Sequence, residues 1–171
     1  MEKFNLETIG LKLILNFITE EEEKTLVEKF PKFTQKTTKG RNSIQRFGSD
    51  LPYKSNIVSK KIPEHLIFLS DRIMEQNLLD VAPNSISINE YCIGQSITPH
   101  IDSKTSGKII TILSLLSDAT MVFEKNKINQ SLVLPARSLV QMSGEIRNEW
   151  MHSIKPVENF RYSIVFRCGT A

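Results

Sequence analysis

From residue 83 onward the chain is a succession of short, β-branched segments separated by turn residues: SISINEY, TPHID, KIITILSLL, TMVFE, QSLVLP, SLVQM, WMHSI and RYSIVFR. About eight such strands in so short a span leave little room for helices, and point to a sandwich or jelly roll. Alternation assigns faces within them, because residues two apart on a strand share a side. In SISINEY, Ser87, Asn89 and Tyr91 fall on one face, Ile86 and Ile88 on the other. In RYSIVFR, Arg161, Ser163, Val165 and Arg167 oppose Tyr162, Ile164 and Phe166. Lys125 to Asn129 supplies a hairpin turn.

The first half has a different character. Residues Gly10 to Phe17 read as a strand buried on at least one face. Thr19 with Glu22 makes a capping box, opening a helix to about Phe30 with Leu26, Val27 and Phe30 inward and Pro31 as its stop. Pro63 opens a second helix to about Leu79, with Leu66, Leu69, Ile73 and Met74 at helical spacing. Residues 32–62 between them are polar and basic, and suit short strands or a lid-like hairpin. Helices first and strands after give an α+β protein. At 171 residues it is a single domain, with helices and lid in 1–82 and the strand-rich core in 83–171. The N-terminal apolar run is short and broken by Lys12, so neither a leader peptide nor a membrane span is expected. Two cysteines without a CxxC pairing fit a reducing compartment. The expectation is therefore an intracellular protein of cytoplasm or nucleus, monomeric and independent of membranes.

Charge is unevenly spread. Lys24 to Lys61 holds ten Lys/Arg against Glu28 and Asp50, a local +8 in a chain of net charge +3. Such asymmetry fits a polyanionic partner, although a solvated lysine-rich loop has the same signature.

ITPHIDS places His100 and Asp102 two residues apart, able to reach one point from a strand or strand end. The chain has only three histidines. His65 sits in the early helix and reads as an ordinary surface residue, which leaves His152 in WMHSI. Two imidazoles and one carboxylate on one face of a metal form the facial triad of non-haem Fe(II) oxygenases. HxD alone is a common pair on solvated strands. Arg161 and Arg167 add weight, since inward-facing arginines among apolar neighbours need partners. A guanidinium grips a carboxylate bidentately, so a small dicarboxylate would meet that need, as would water at a sheet edge or the chain's own acids. Asn89 and Tyr91 project together and can donate to the same carboxylate.

Together these residues resemble the AlkB family of Fe(II)/2-oxoglutarate dioxygenases. The resemblance runs through Asn89-Glu-Tyr91-Cys-Ile-Gly94, His100-Ile-Asp102, His152 and Arg161-Tyr-Ser-Ile-Val-Phe-Arg167, and covers roughly residue 41 to the end. SGEIRNEWMHSI is similar to the family's segment around the last ligand, and RNSIQRFGS to its weaker lid motif. The resemblance implies a double-stranded β-helix with the N-terminal helices packed on one sheet. It implies His100, Asp102 and His152 as catalytic Fe(II) ligands, and Asn89, Tyr91, Arg161 and Arg167 around 2-oxoglutarate, with O₂ as co-oxidant. Arg161 would pair with the distal carboxylate, and Arg167 would lie nearer the keto-acid end. Candidate substrate contacts are Arg46, Phe47, Tyr53, Lys104, Arg147 and Trp150.

Two positions depart from the family. Lys104 stands where base-repairing members often carry an acid, which puts repair of alkylated bases in doubt. The family's Tyr-x-Pro-Gly is here Tyr-Cys-Ile-Gly. The resemblance implies hydroxylation or oxidative demethylation of nucleic-acid bases, with single-stranded DNA or RNA, including tRNA, favoured. An AlkB-like enzyme acting on protein side chains is the alternative, and a non-catalytic nucleic-acid-binding module is a further one.

Overall fold

Two antiparallel sheets face each other in the computed structural model, which describes residues 5–33, 40–49 and 60–169. In chain order the elements are β1 (Leu11–Ile14), α1 (Glu20–Glu28), β2 (Ser43–Gly48), α2 (Glu64–Glu75), β3 (Ser85–Tyr91), β4 (Ile97–His100), β5 (Ile110–Leu115), β6 (Ala119–Lys125), β7 (Ile128–Leu134), β8 (Leu139–Met142), α3 (Gly144–Glu149), β9 (Met151–Ile154) and β10 (Arg161–Arg167). The larger sheet has the order β1-β8-β5-β10-β3-β2, the smaller β4-β9-β6-β7. This is a jelly roll, the double-stranded β-helix. The eight strands after residue 83 are those expected, and the first half adds both edge strands of the larger sheet.

The larger sheet serves two cores. Ile86, Ile88, Leu113, Leu115, Ile164 and Phe166 point outward and pack with Leu26 of α1 and Leu66, Leu69 and Ile73 of α2. On the inward side, Tyr91, Ile110 and Val165 meet Met121, Phe123 and Ile154 of the smaller sheet. The helices therefore cover the outer face of one sheet, as expected.

Local chemistry sets the boundaries. Thr19 Oγ1 accepts from Glu22 N and Glu22 Oε2 from Thr19 N, completing the capping box of α1. Asn16, at φ 50°, ends the first strand region sooner than the apolar run to Phe17 suggests. The second helix also ends early, at Glu75 rather than near Leu79. Asn77 turns left-handed at φ 53°, yet Leu78 and Leu79 remain buried beyond the helix, which prolongs its apparent periodicity. Asn126 and Lys127, both at positive φ, form the two-residue β6–β7 turn. Gly94, at φ 82°, makes the tight turn from β3 toward β4, its N–H donating to Val157 O at 2.8 Å. Ile93 beside it is 72% exposed, so the residue standing at the family's proline packs against nothing that a proline would disturb.

The two helices are pinned by Arg72 of α2. Its Nη1 donates to Glu22 Oε2 at 2.9 Å and to Phe17 O at 3.0 Å. The Arg72 hydrogen bond, opposed by burial and assisted by Thr19 N–H, draws Glu22 from its usual 4.5 to about 2. A carboxylate with a lowered folded-state pKa stabilises the fold above its unfolded value, and that stabilisation fades as pH falls through the folded one. Arg72→Met should therefore lower stability at pH 7, the Glu22 part on the order of 1 kcal/mol for so partly exposed a pair. In urea denaturation, the gap between wild type and variant should narrow from about pH 4.5 down to pH 2.

Candidate functional site

The cross-strand pairing of β4 with β9 sets His100 directly opposite His152, with ring centroids 4.4 Å apart. The register slips once between Ile97 and His100, an extra residue on β4 that re-aims its end. Asp102 follows just beyond the strand, 7% exposed, with Oδ2 3.4 Å from His152 Nε2. One ligand atom from each of these three residues lies within 4.8 Å of the others. Among the described residues this is the one cluster of three or more His, Cys, Asp or Glu side chains so arranged.

The protonation states suit metal ligands. His100 Nδ1 lies 2.9 Å from Thr98 O, and a carbonyl can only accept, so Nδ1 carries the hydrogen and Nε2 is the open nitrogen. Burial, and then the neighbouring His152, pushes the His100 pKa down and keeps the ring neutral. Burial alone would raise the Asp102 pKa. The His152 hydrogen bond and the Arg167 charge outweigh it, and hold the carboxyl well below the usual carboxylate range. Arg167 Nη2 donates to Asp102 Oδ1 at 3.1 Å, and its Nη1 donates to Ser87 Oγ at 3.3 Å. Two imidazoles and a carboxylate are a donor set for a divalent transition metal.

Arg161 supplies the second half of the site. It has no exposed surface, and its partners are neutral: Nε and Nη2 both donate to Ser114 Oγ, at 3.2 and 2.9 Å, and the guanidinium lies 4.8 Å over the Tyr91 ring. Its Nη1 is buried with no hydrogen-bond partner. A buried cation with a spare donor is costly unless an anion completes it. Beside it a polar ladder crosses the sheet, with Asn42 Nδ2 donating to Asn89 Oδ1 at 3.1 Å and Asn89 Nδ2 to Ser163 Oγ at 3.3 Å. Arg161, Tyr91, Asn42, Asn89 and Ser163 line one cavity of about 630 Å³ between the sheets, with His100, Asp102 and His152 in the same lining. The orphaned Arg161 donor and the three clustered ligand atoms fit a carboxylate cosubstrate bound beside a metal.

The inward faces read from SISINEY and RYSIVFR are the faces that line this cavity. The lining also includes Arg46, on β2, with Arg41 nearby. Three other candidate substrate contacts need correction. Phe47 is 6% exposed and packs in the outer core, because it alternates with Ile44 and Arg46, which face the cavity. Trp150 has no exposed surface, and its Nε1 donates to Glu145 Oε1 at 3.2 Å. Arg147 is 1% exposed and donates to the carbonyls of Asp102, Ser103 and Gly107. None of the three offers a surface to a substrate. Lys104 is exposed in a short 3-10 helix and is absent from the cavity lining. Tyr53 lies outside the described residues. His65 is half-buried against Phe30, away from the cavity. Ser114 and Asn42 escaped the sequence reading, and Ser163 was placed on the inward face but given no role. Ser114 left a signal, as the one polar residue in phase with Ile110 and Ile112.

Comparison with known proteins agrees with this geometry. Residues 10–167 match the 2OG-Fe(II) oxygenase superfamily. The tRNA (carboxymethyluridine(34)-5-O)-methyltransferase alkbh8 of Xenopus tropicalis is 32% identical over 160 residues, covering 86% of this chain and 25% of that protein. The chain thus spans about a quarter of the length of that relative. The uncharacterized protein L905 of Acanthamoeba polyphaga mimivirus is 30% identical over 154 residues, covering 86% of this chain and 73% of that one. The solved structure of OsALKBH1 shares the fold with a TM-score of 0.68 at 14% identity, over 93% of this chain and 98% of that one. Ferrous iron, 2-oxoglutarate and dioxygen are accordingly its cofactor and cosubstrates. The chain belongs to the 2OG-Fe(II) oxygenase superfamily, and among its relatives are AlkB homologues to which it is similar.

Proposed function

We propose that this chain hydroxylates or oxidatively demethylates nucleic-acid bases, with single-stranded DNA or RNA, tRNA included, as the favoured substrate. The observation that carries this reading is the cavity itself. One lining joins three clustered ligand atoms, a buried guanidinium without an anion, and the cationic Arg46.

Each residue has a distinct task in this reading. His100, Asp102 and His152 hold Fe(II). Arg161, oriented by Ser114 and supported by Tyr91, binds the distal carboxylate of 2-oxoglutarate through the donor it now leaves unpartnered. Asn89 and Ser163, in the same lining, would assist in holding the cosubstrate. Arg167 keeps Asp102 ionised and oriented. When bound, iron and 2-oxoglutarate together activate O₂, so that one oxygen atom enters a substrate C–H bond and the other enters succinate with release of CO₂. On an N-methyl group, the hydroxymethyl product would release formaldehyde and the free amine. Met121, Ile97, Ile112 and Ile154 supply apolar walls that limit water near the reacting carbon.

Support for a nucleic-acid substrate comes from the basic segment Lys24 to Lys61 and from Arg41 and Arg46 in the cavity lining. The alkbh8 relative, named for a tRNA uridine, points the same way. A base need not be flipped from a duplex when it is already single-stranded, which favours that form.

Two outcomes test this reading. Ser114→Ala removes the hydroxyl that both Arg161 nitrogens contact, and a hydrogen bond to a charged group contributes about 1.5–3 kcal/mol. Calorimetric titration of the Mn(II)-loaded protein should show 2-oxoglutarate binding weakened roughly 10- to 100-fold, and Arg161→Ala should weaken it further. Unchanged affinity in both variants would remove the assignment. Mass spectrometry of methylated and unmethylated oligonucleotides, tRNA and peptides should show loss of a methyl group, or gain of one oxygen, on a nucleic acid. Arg41→Glu with Arg46→Glu should slow that turnover at least tenfold at low salt. Turnover of peptides alone would move the substrate class to protein.

A further inference from the structure

Arg147 is a buried charge that the site described so far does not use. Its side chain is 1% exposed, and among the described residues no carboxylate pairs with it at ion-pair distance. Its hydrogen bonds go to backbone carbonyls. Nη1 donates to Asp102 O at 3.0 Å, and Nη2 donates to Ser103 O at 2.6 Å and Gly107 O at 3.0 Å. These acceptors begin at a metal-ligand candidate and end at Gly107. Gly107 sits at φ 94°, where an added Cβ would fall 2.9 Å from Cys168 O. The guanidinium thus closes the loop 102–107 across its mouth.

The other end of the connection matters as much. Arg147 belongs to α3, which runs through Trp150 directly into β9 and His152. Ile146 and Trp150, both fully buried, fix α3 in the inner core. One side chain therefore ties the loop that presents Asp102 to the element that presents His152, across the 3.4 Å gap between the two ligand atoms.

We propose that Arg147 is a positioning residue that sets the Asp102–His152 half of the metal site. It touches neither metal nor substrate. It acts by anchoring the backbone of Asp102, so that the carboxylate is held at its coordinating position before metal arrives. Arginine suits the task because a planar fork reaches three carbonyls at once, whereas an ammonium on a flexible stem does not reproduce that geometry. The inference rests on the metal-site reading above. Loss of the clamp frees loop 102–107, and a tripod with one loose leg binds metal less tightly.

The test measures metal affinity without turnover, by electron paramagnetic resonance titration of Mn(II) into the protein with no cosubstrate. Wild type, Arg147→Met, Arg147→Lys and Trp150→Phe are compared, each with its melting temperature. Arg147→Met should bind Mn(II) about 10- to 100-fold more weakly, with Arg147→Lys in between. Trp150→Phe should melt lower than wild type, through lost core packing, yet keep its Mn(II) affinity. If Arg147→Met does not fold, Arg147→Lys carries the comparison. Wild-type affinity in the Arg147 variants, or an equal loss in Trp150→Phe, would overturn the proposal. Failure of wild type itself to bind Mn(II) would instead overturn the metal-site reading.

Discussion

The larger sheet is covered on both faces, and most of the molecule follows from that constraint. One face meets α1 and α2 and is mostly apolar. The other meets the smaller sheet and carries the polar groups of the cavity. Strand periodicity then leaves each residue of β3, β5 and β10 a single choice of side. A slip of one residue would bury Arg161 and Arg167 under the helices and turn Ile164 and Phe166 into the cavity. The cost of burying unpaired guanidinium groups in an apolar layer fixes the register as firmly as the apolar contacts do.

The cavity is electrically divided. At one end, Asp102 is an anion already attended by Arg167 and His152. At the other, Arg161 is a cation attended only by a hydroxyl and an aromatic face. A molecule with a carboxylate at the far end and oxygen ligands at the near end would satisfy both, and 2-oxoglutarate has that shape. Fold and cosubstrate chemistry thus meet in the same strands. The substrate end is more open. Arg41 and Arg46 mark it as cationic, while the departure at Lys104 falls on an exposed 3-10 turn rather than in the cavity.

Much of this was legible from the chain because it depends on local parity. HxD, the faces of SISINEY and RYSIVFR, and the capping box all sit within seven residues or fewer. Parity also could have corrected the reading: Arg46 and Phe47 are neighbours on one strand, so they could not both face the substrate. Trp150 and Arg147 were harder, since both are polar-capable residues beside a ligand, and only the fold of α3 shows them buried. Strand pairing was not legible at all. β1 pairs with β8 and β2 with β3 across long stretches of intervening chain, and the slip that sets His100 opposite His152 leaves no mark in the sequence. Such non-local choices are decided by the sum of core contacts, which no short segment contains.

An anaerobic absorption titration tests the central claim most directly. Fe(II) and 2-oxoglutarate added together should produce a visible charge-transfer band that neither gives alone, and that disappears in the His100→Ala, Asp102→Ala double variant. No band in the wild-type protein, or a band that survives the double substitution, would contradict the assignment of iron and cosubstrate to this cavity.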